Sequence, residues 1–323
     1  MSRFTCVVAA TLLLAAGSGF GQAPYPNRPV RLVVGFPPGG TADILARTLA
    51  QKMAETWGQQ VVVDNRPGAA GTIGANLVAK AAPDGYTLLM SALASQSIAP
   101  GLFANLPYDA ERDFTPVSNV AELALVVVVT PGLPVKSMRE LIAMAKAQPM
   151  QLNYGSGGVG SSQHLATEYF SLQAGIKMVH VPYKGSPLVV GDLISGQLAL
   201  SIDNPTTVLP HVKTGKLRAL AVTSLRRWPG APELPTIAEA ADLPGFEVLG
   251  WFGVLAPAGT PAEVVGRINA ETVRILNLPD VRQRLSEQGA EPAPTTPDQF
   301  ARFIRAETQK WGRVIKSTGK KQE

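Results

Sequence analysis

The chain has 323 residues, 46% of them hydrophobic and 16% charged: enough apolar material for one large or two medium cores, and too little charge for a disordered polymer. The formal charge of +5 comes from 29 basic and 24 acidic residues scattered along the sequence. The one dense basic run, Lys316 to Lys321, reads as a solvated tail, so no nucleic-acid partner is expected; the mild positive balance suits an anionic small molecule.

Arg3 is followed by an apolar run from Phe4 to Ala16 and then by the small residues Gly17, Ser18, Gly19 and Gly21. This layout predicts a secretory signal peptide over residues 1–21, cleaved near Gly21, and a soluble protein exported to the periplasm. The single cysteine, Cys6, lies inside it. After cleavage, disulfides, thiolate nucleophiles and Cys-based metal sites are ruled out. No metal or cofactor is expected.

Val30 to Gly35 predicts a buried strand, which Phe36-Pro37-Pro38-Gly39-Gly40 breaks. A helix follows from Thr41, its expected N-cap, to about Trp57, with Ile44, Leu45, Leu49 and Met53 spaced for one face. Asp43 falls in its first turn and is expected to serve that helix. Val61 to Val63 predicts a second strand, and a helix from Thr72 to about Ala81 follows the Gly-rich stretch after it. Tyr86 to Met90 predicts a third strand, with Ser91 to Ser97 after it as a polar loop. Strands alternating with helices predict a parallel sheet built from βαβ units.

Leu125 to Val129 predicts a strand that passes into a second α/β series. There, helices are expected over Ser137 to Ala147 and up to about Ala174, the latter with Leu165, Tyr169 and Leu172 on one face. Ser186 is the expected N-cap of a third helix, with Pro187 at its first position, and Thr206 to Lys213 a fourth. Strands are expected at Leu152 to Tyr154, Met178 to Val181, Leu198 to Ile202 and Leu217 to Val222. Trp228 to Pro244 reads as a returning linker, Phe246 to Ala256 as extended chain, and Pro261 as the start of a helix. Short helices near Val281 and Phe300 close the sequence. The chain would thus cross twice between two α/β domains, residues 22–124 with 246–323 and residues 125–245, with a cleft between them.

Loops at 36–41, 68–72, 155–162 and 183–187 repeat one device: a strand ends in Gly, Ser or Thr and hands over to a helix N-terminus. Such a loop reads either as an ordinary connection or as an anion site, because the first N–H groups of a helix are unpaired. Gly155 to Gly160 satisfies G-x-G-x-x-G, but His180 and Tyr183 stand where a dinucleotide site needs an acid. Ser161 and Ser162 near His164 raise the alternative of an exported hydrolase acting on a carboxylic acid or ester, although no serine sits in G-x-S-x-G. Asp203 would meet a ligand ammonium or hydroxyl, or cap the next helix.

Together, FPPGGTADILAR (36–47), VVVDNRPGAAGTIGA (61–75), APDGYTLL (82–89), NYGSGGVGSSQHL (153–165), HVPYKGS (180–186) and GKLRALAVTS (215–224) resemble the extracytoplasmic receptors of tripartite tricarboxylate transporters, the Bug-type receptors. The resemblance implies a two-domain α/β periplasmic binding protein of type II (Venus-flytrap) topology, no catalysis, no cofactor and a monomeric state. It also implies a small carboxylate as ligand: a mono- or dicarboxylate, an acidic amino acid or an aromatic acid. The partner would be a membrane permease, or a sensor kinase in a signalling variant. The ligand carboxylate would be gripped between Phe36, Gly39, Gly40 and Thr41 on one side and Gly155, Ser156, Gly160, Ser161 and His164 on the other. Ala70, Gly71 and Thr72 would complete the first side. Ser91, Ser95, Tyr183, Lys184, Gly185 and Asp203 would set ligand identity. No arginine stands in these loops, which argues against a ligand as charged as citrate.

Overall fold

The computed structural model describes residues 25–318; the predicted signal peptide, Cys6, Lys320 and Lys321 lie outside them. The chain opens with β1 (Val30–Val34), α1 (Thr41–Trp57), β2 (Val61–Asn65), α2 (Thr72–Ala79) and β3 (Thr87–Ala92). A short α3 (Ala99–Leu102) precedes the long β4 (Phe114–Ala124). The second series runs β5 (Val126–Val129), α4 (Met138–Ala147), β6 (Asn153–Ser156), α5 (Ser162–Ala174), β7 (Val179–Pro182), α6 (Ser186–Ile194), β8 (Leu200–Asp203), α7 (Pro205–Lys213) and β9 (Arg218–Val222). After α8 (Ile237–Ala241) come β10 (Leu249–Pro257), α9 (Ala262–Leu276), α10 (Pro279–Glu287), β11 (Glu291–Pro292) and α11 (Pro297–Thr318).

The strands form two sheets, ordered β11-β4-β10-β3-β1-β2 and β7-β6-β8-β5-β9. β1 pairs in parallel with β2 and β3, and β6 with β7 and β8, as βαβ units require. Three strands break the parallel pattern, one of them the short β11, antiparallel to β4 at the sheet edge. β10 lies antiparallel between β3 and β4, and β5 antiparallel between β8 and β9. These are the two places where the chain passes from one sheet to the other. Thr223, fully buried, ties both crossings together. Its hydroxyl accepts from Leu125 N at 2.8 Å and donates to Val248 O at 2.5 Å, while its own N–H donates to Leu125 O.

Several expectations shift. Ser91 belongs to β3, and Ala94–Ile98 form a single π-type turn whose residues are all buried, where a polar loop was expected. Their polar groups are met internally: Gln96 Nε2 donates to Ala110 O, and Tyr108 OH to Ser95 O. The cover is α11, a helix of 22 residues where the sequence suggested a short one. Its Phe300 and Phe303 meet Trp251 edge-to-face at 5.6 and 5.7 Å. Residues 228–244 contain α8, closed by a capping box between Thr236 and Glu239. On α5 the inner face carries Leu165, Ala166 and Phe170, and Leu172 is exposed. Thr41 and Ser186 are not N-caps: Gly40 and Gly185 occupy those positions, which leaves both hydroxyls for other partners.

Candidate functional site

Four helix N-termini converge on one cavity of about 40 Å³ between the sheets, room on the scale of a few water molecules. From the first sheet come Gly40, Thr41 and Ala42 at the start of α1. From the second come Ser161, Ser162 and Gln163 of α5, Gly185, Ser186 and Pro187 of α6, and Asn204 just before α7. Phe36, Pro37, Ala92, Ala94, Gly157 and Phe252 complete the wall. Among the described residues that line it, none carries a charge.

The four helix ends are not equivalent donors. Pro187 and Pro205 have no N–H, so α6 and α7 present few unpaired amides. In α1 the first intrahelical acceptor, Gly40 O, takes Ile44 N, which leaves the amides of Thr41 and Ala42 without intrahelical partners. In α5, Ser161 Oγ takes His164 N and Ser161 O takes Leu165 N, leaving those of Ser162 and Gln163. One pair of peptide donors therefore comes from each sheet, and each pair carries the positive end of its helix. The sheets meet around it: the hydroxyls of Thr41 and Thr206 are hydrogen-bonded to each other.

Two buried carboxylates shape the wall from behind. Asp43 Oδ2 accepts from Gly39 N at 3.0 Å and Arg47 Nε at 2.9 Å, and Oδ1 from Asn65 Nδ2 at 3.0 Å. Burial opposes its charge, but Arg47, Gly39 and Asn65 outweigh that and hold the Asp43 carboxyl below the usual carboxylate range. Its contribution is in place above the unfolded value of 3.8 and is lost as pH falls through the lower folded value. Urea melts of native protein and Asp43→Asn should accordingly differ by a constant amount from pH 5 to 8 and converge below about pH 4; a gap that persists in acid would contradict this. Asp203 is fully buried and is not among the residues that line the cavity. It accepts from the Ser186 hydroxyl, from Asn204 N at 2.7 Å and from Gln163 Nε2 at 3.2 Å, so it fixes three wall residues.

Of the residues expected at the site, Phe36, Gly40, Thr41, Ser161 and Gly185 line the cavity. Ala70, Gly71, Tyr183 and Lys184 line an adjoining pocket of about 230 Å³, which shares Phe36 and Gly157. Thr72 donates to Ala69 O, and Ser91 and Ser95 bond within their own segment, so these three stand outside the wall. Gly39 lies behind the wall, its N–H on Asp43. Gly155 packs on Leu198 and Val189, where a Cβ would not fit. Gly160 seats against Leu102 and Phe103 of the opposite lobe, with a φ of +81°. Ser156 and His164 sit behind the loop. Gly160 N donates to His164 Nδ1 at 3.3 Å, and the His164 ring stacks on His180, which bonds Ser156 Oγ at 2.6 Å. This packing corrects the hydrolase alternative of Ser161 or Ser162 with His164: Ser161 Oγ accepts from His164 N as the cap of α5, and Ser162 Oγ donates to Gln163 Oε1.

Gln163, Asn204 and Phe252 were not foreseen, and Ser186 only as part of the 183–187 loop. A signal existed for Gln163 and Asn204, which neighbour the helix starts at Ser161-Ser162 and Pro205. For Phe252 there was none, since β10 reaches the cleft only through the crossing from the other sheet.

Residues 45–320 match the model of the tripartite tricarboxylate transporter family receptor. The chain belongs to this receptor family. The receptor is similar to Rpa4515 of R. palustris, solved with adipate, at 41% identity and a TM-score of 0.89, over 91% of this chain and 98% of that one. It resembles the periplasmic binding protein BugD at 34% identity and 0.88, over 93% and 100%. It also resembles MatC of Rhodopseudomonas palustris, solved with bound malate, at 34% and 0.85, over 90% and 100%. The α/β two-sheet periplasmic binding-protein fold and the non-enzymatic, solute-binding character of the receptor follow from this membership.

Proposed function

We propose that the receptor captures a small mono- or dicarboxylate in the periplasm, within the cleft between two domains, 22–124 with 246–323 and 125–245, and presents it to a membrane permease. The reading is carried by the peptide donors at Thr41–Ala42 and Ser162–Gln163, which enter one uncharged cavity from opposite sheets. It is supported by the adipate and malate bound in Rpa4515 and MatC. A helix end contributes about 0.3–1 kcal/mol to an anion, up to about 2 when partly buried. Micromolar affinity needs about 8 kcal/mol. The difference comes from hydrogen bonds to the charged carboxylate, about 1.5–3 kcal/mol each, and from water excluded on closure. Phe36, Ala92, Ala94 and Phe252 give methylene groups an apolar wall.

Thermal melting against succinate, malate, adipate, citrate and the corresponding neutral amides tests the proposal. A hundredfold excess over Kd adds about 2.7 kcal/mol, a shift of several degrees. Mono- and dicarboxylates should raise Tm, citrate least among the acids, and the amides not at all. Equal shifts from acids and amides, or none from either, would overturn it.

A further inference from the structure

We propose that Asn204 reads a hydroxyl beside the ligand's carboxylate, so that the receptor selects 2-hydroxy acids over their unsubstituted counterparts. This rests on the carboxylate reading above and narrows it.

Asn204 stands in the cavity wall, is 6% exposed, and its Oδ1 is buried without a hydrogen-bond partner. Its side chain does not cap α7, so local structure does not account for it. A buried unmet acceptor is unfavourable, and a bound group that supplies an O–H or N–H relieves it. The remaining polar wall has other business. Gln163 Nε2 and Ser186 Oγ are held by Asp203, and the unpaired peptide groups of α1 and α5 are donors, suited to a carboxylate. Asn204 Oδ1 is a buried, unmet side-chain acceptor beside a donor-lined site, and a donor on the ligand complements it. Position places that donor close to the carboxylate. Asn204 is two residues from Thr206, whose hydroxyl bonds Thr41 in the first turn of α1, and Asn204 and Thr41 line the same cavity.

Hydroxyl is favoured over ammonium. Asp203 is sealed behind the wall, no lining residue is acidic, and helix N-termini disfavour a cation.

Calorimetric titration of the mature receptor with matched pairs tests the inference: succinate with malate, and adipate with 2-hydroxyadipate, with aspartate as the ammonium analogue. In the pair whose length fits, the hydroxy acid should bind about tenfold tighter than its partner. Aspartate should bind more weakly than malate. Asn204→Leu should reduce the ratio within that pair to about twofold or less, whatever it does to either affinity singly, while Asn204→Ser, which keeps an acceptor, should retain part of it. Equal binding within both pairs by the native receptor overturns the role of Asn204 and leaves the carboxylate reading standing, as does a tenfold ratio that survives in Asn204→Leu. Binding of none of these acids overturns both.

Discussion

Asp203→Ala is expected to lower the unfolding free energy by about 3–5 kcal/mol and to abolish carboxylate binding, whereas Asp203→Asn keeps the fold and most of the affinity. The alanine leaves the Ser186 hydroxyl, the Asn204 N–H and one Gln163 N–H facing a void, each a buried donor with its acceptor gone. All three residues line the cavity, so the loss reaches the ligand without Asp203 touching it. Asparagine still offers an oxygen to these donors. It also removes a charge that is costly to bury. Burial pushes the Asp203 carboxyl up, against the hydrogen bonds from Ser186, Asn204, Gln163 and Ser201. An acid raised above its unfolded value of 3.8 favours the folded state below that value and loses this contribution as pH rises through the folded one. Chemical denaturation across pH should therefore show stability falling through that window in the native receptor and not in Asp203→Asn. If Ala and Asn prove equally mild, Asp203 does not organise the wall.

Gly185→Val should remove ligand binding by preventing closure while leaving a folded protein. The φ at Gly185 is +137°, and a Cβ there would land on Pro37 of the opposite lobe, within 2.9 Å of its Cδ. Two effects must be separated, because the backbone conformation alone disfavours a side chain. Gly215→Ala provides the control: its φ is +72°, with open space where the Cβ would go. That control should cost about 1 kcal/mol of stability and leave affinity unchanged. Small-angle scattering then reads closure directly. Addition of a dicarboxylate should contract the native receptor and the Gly215→Ala control but not Gly185→Val. Contraction in all three would mean that Pro37 and Gly185 do not limit closure.

Much of the fold was legible because its signals are local. Glycine in the left-handed region ends α1 at Gly58 and α5 at Gly175, and the helix expected from Ser137 is α4, with Ser137 as its N-cap. What was missed depends on distant chain. Ser91 to Ser97 have the composition of a surface loop, and only the packing of α11, some two hundred residues later, makes them interior. The length of α11 itself was readable, since Phe300, Ile304, Trp311 and Ile315 recur on one face. At the site, one-residue shifts mattered most. With Gly40 and Gly185 as caps, the Thr41 and Ser186 hydroxyls are released toward Thr206 and Asp203, contacts that join segments far apart in sequence. The loops at 36–41 and 155–162 could be recognised as helix entrances, and Gln163 and Asn204 could have been found as neighbours of helix starts; Phe252, on a strand that arrives from the other sheet, could not.

The most direct test is a crystal structure of the receptor with a bound dicarboxylate. One carboxylate should lie within hydrogen-bond distance of the Thr41–Ala42 amides and the Ser162–Gln163 amides at once, so that both sheets hold the same acid group. A carboxylate bound to elements of one sheet alone, or seated in the adjoining pocket at Tyr183 and Lys184, would contradict the account.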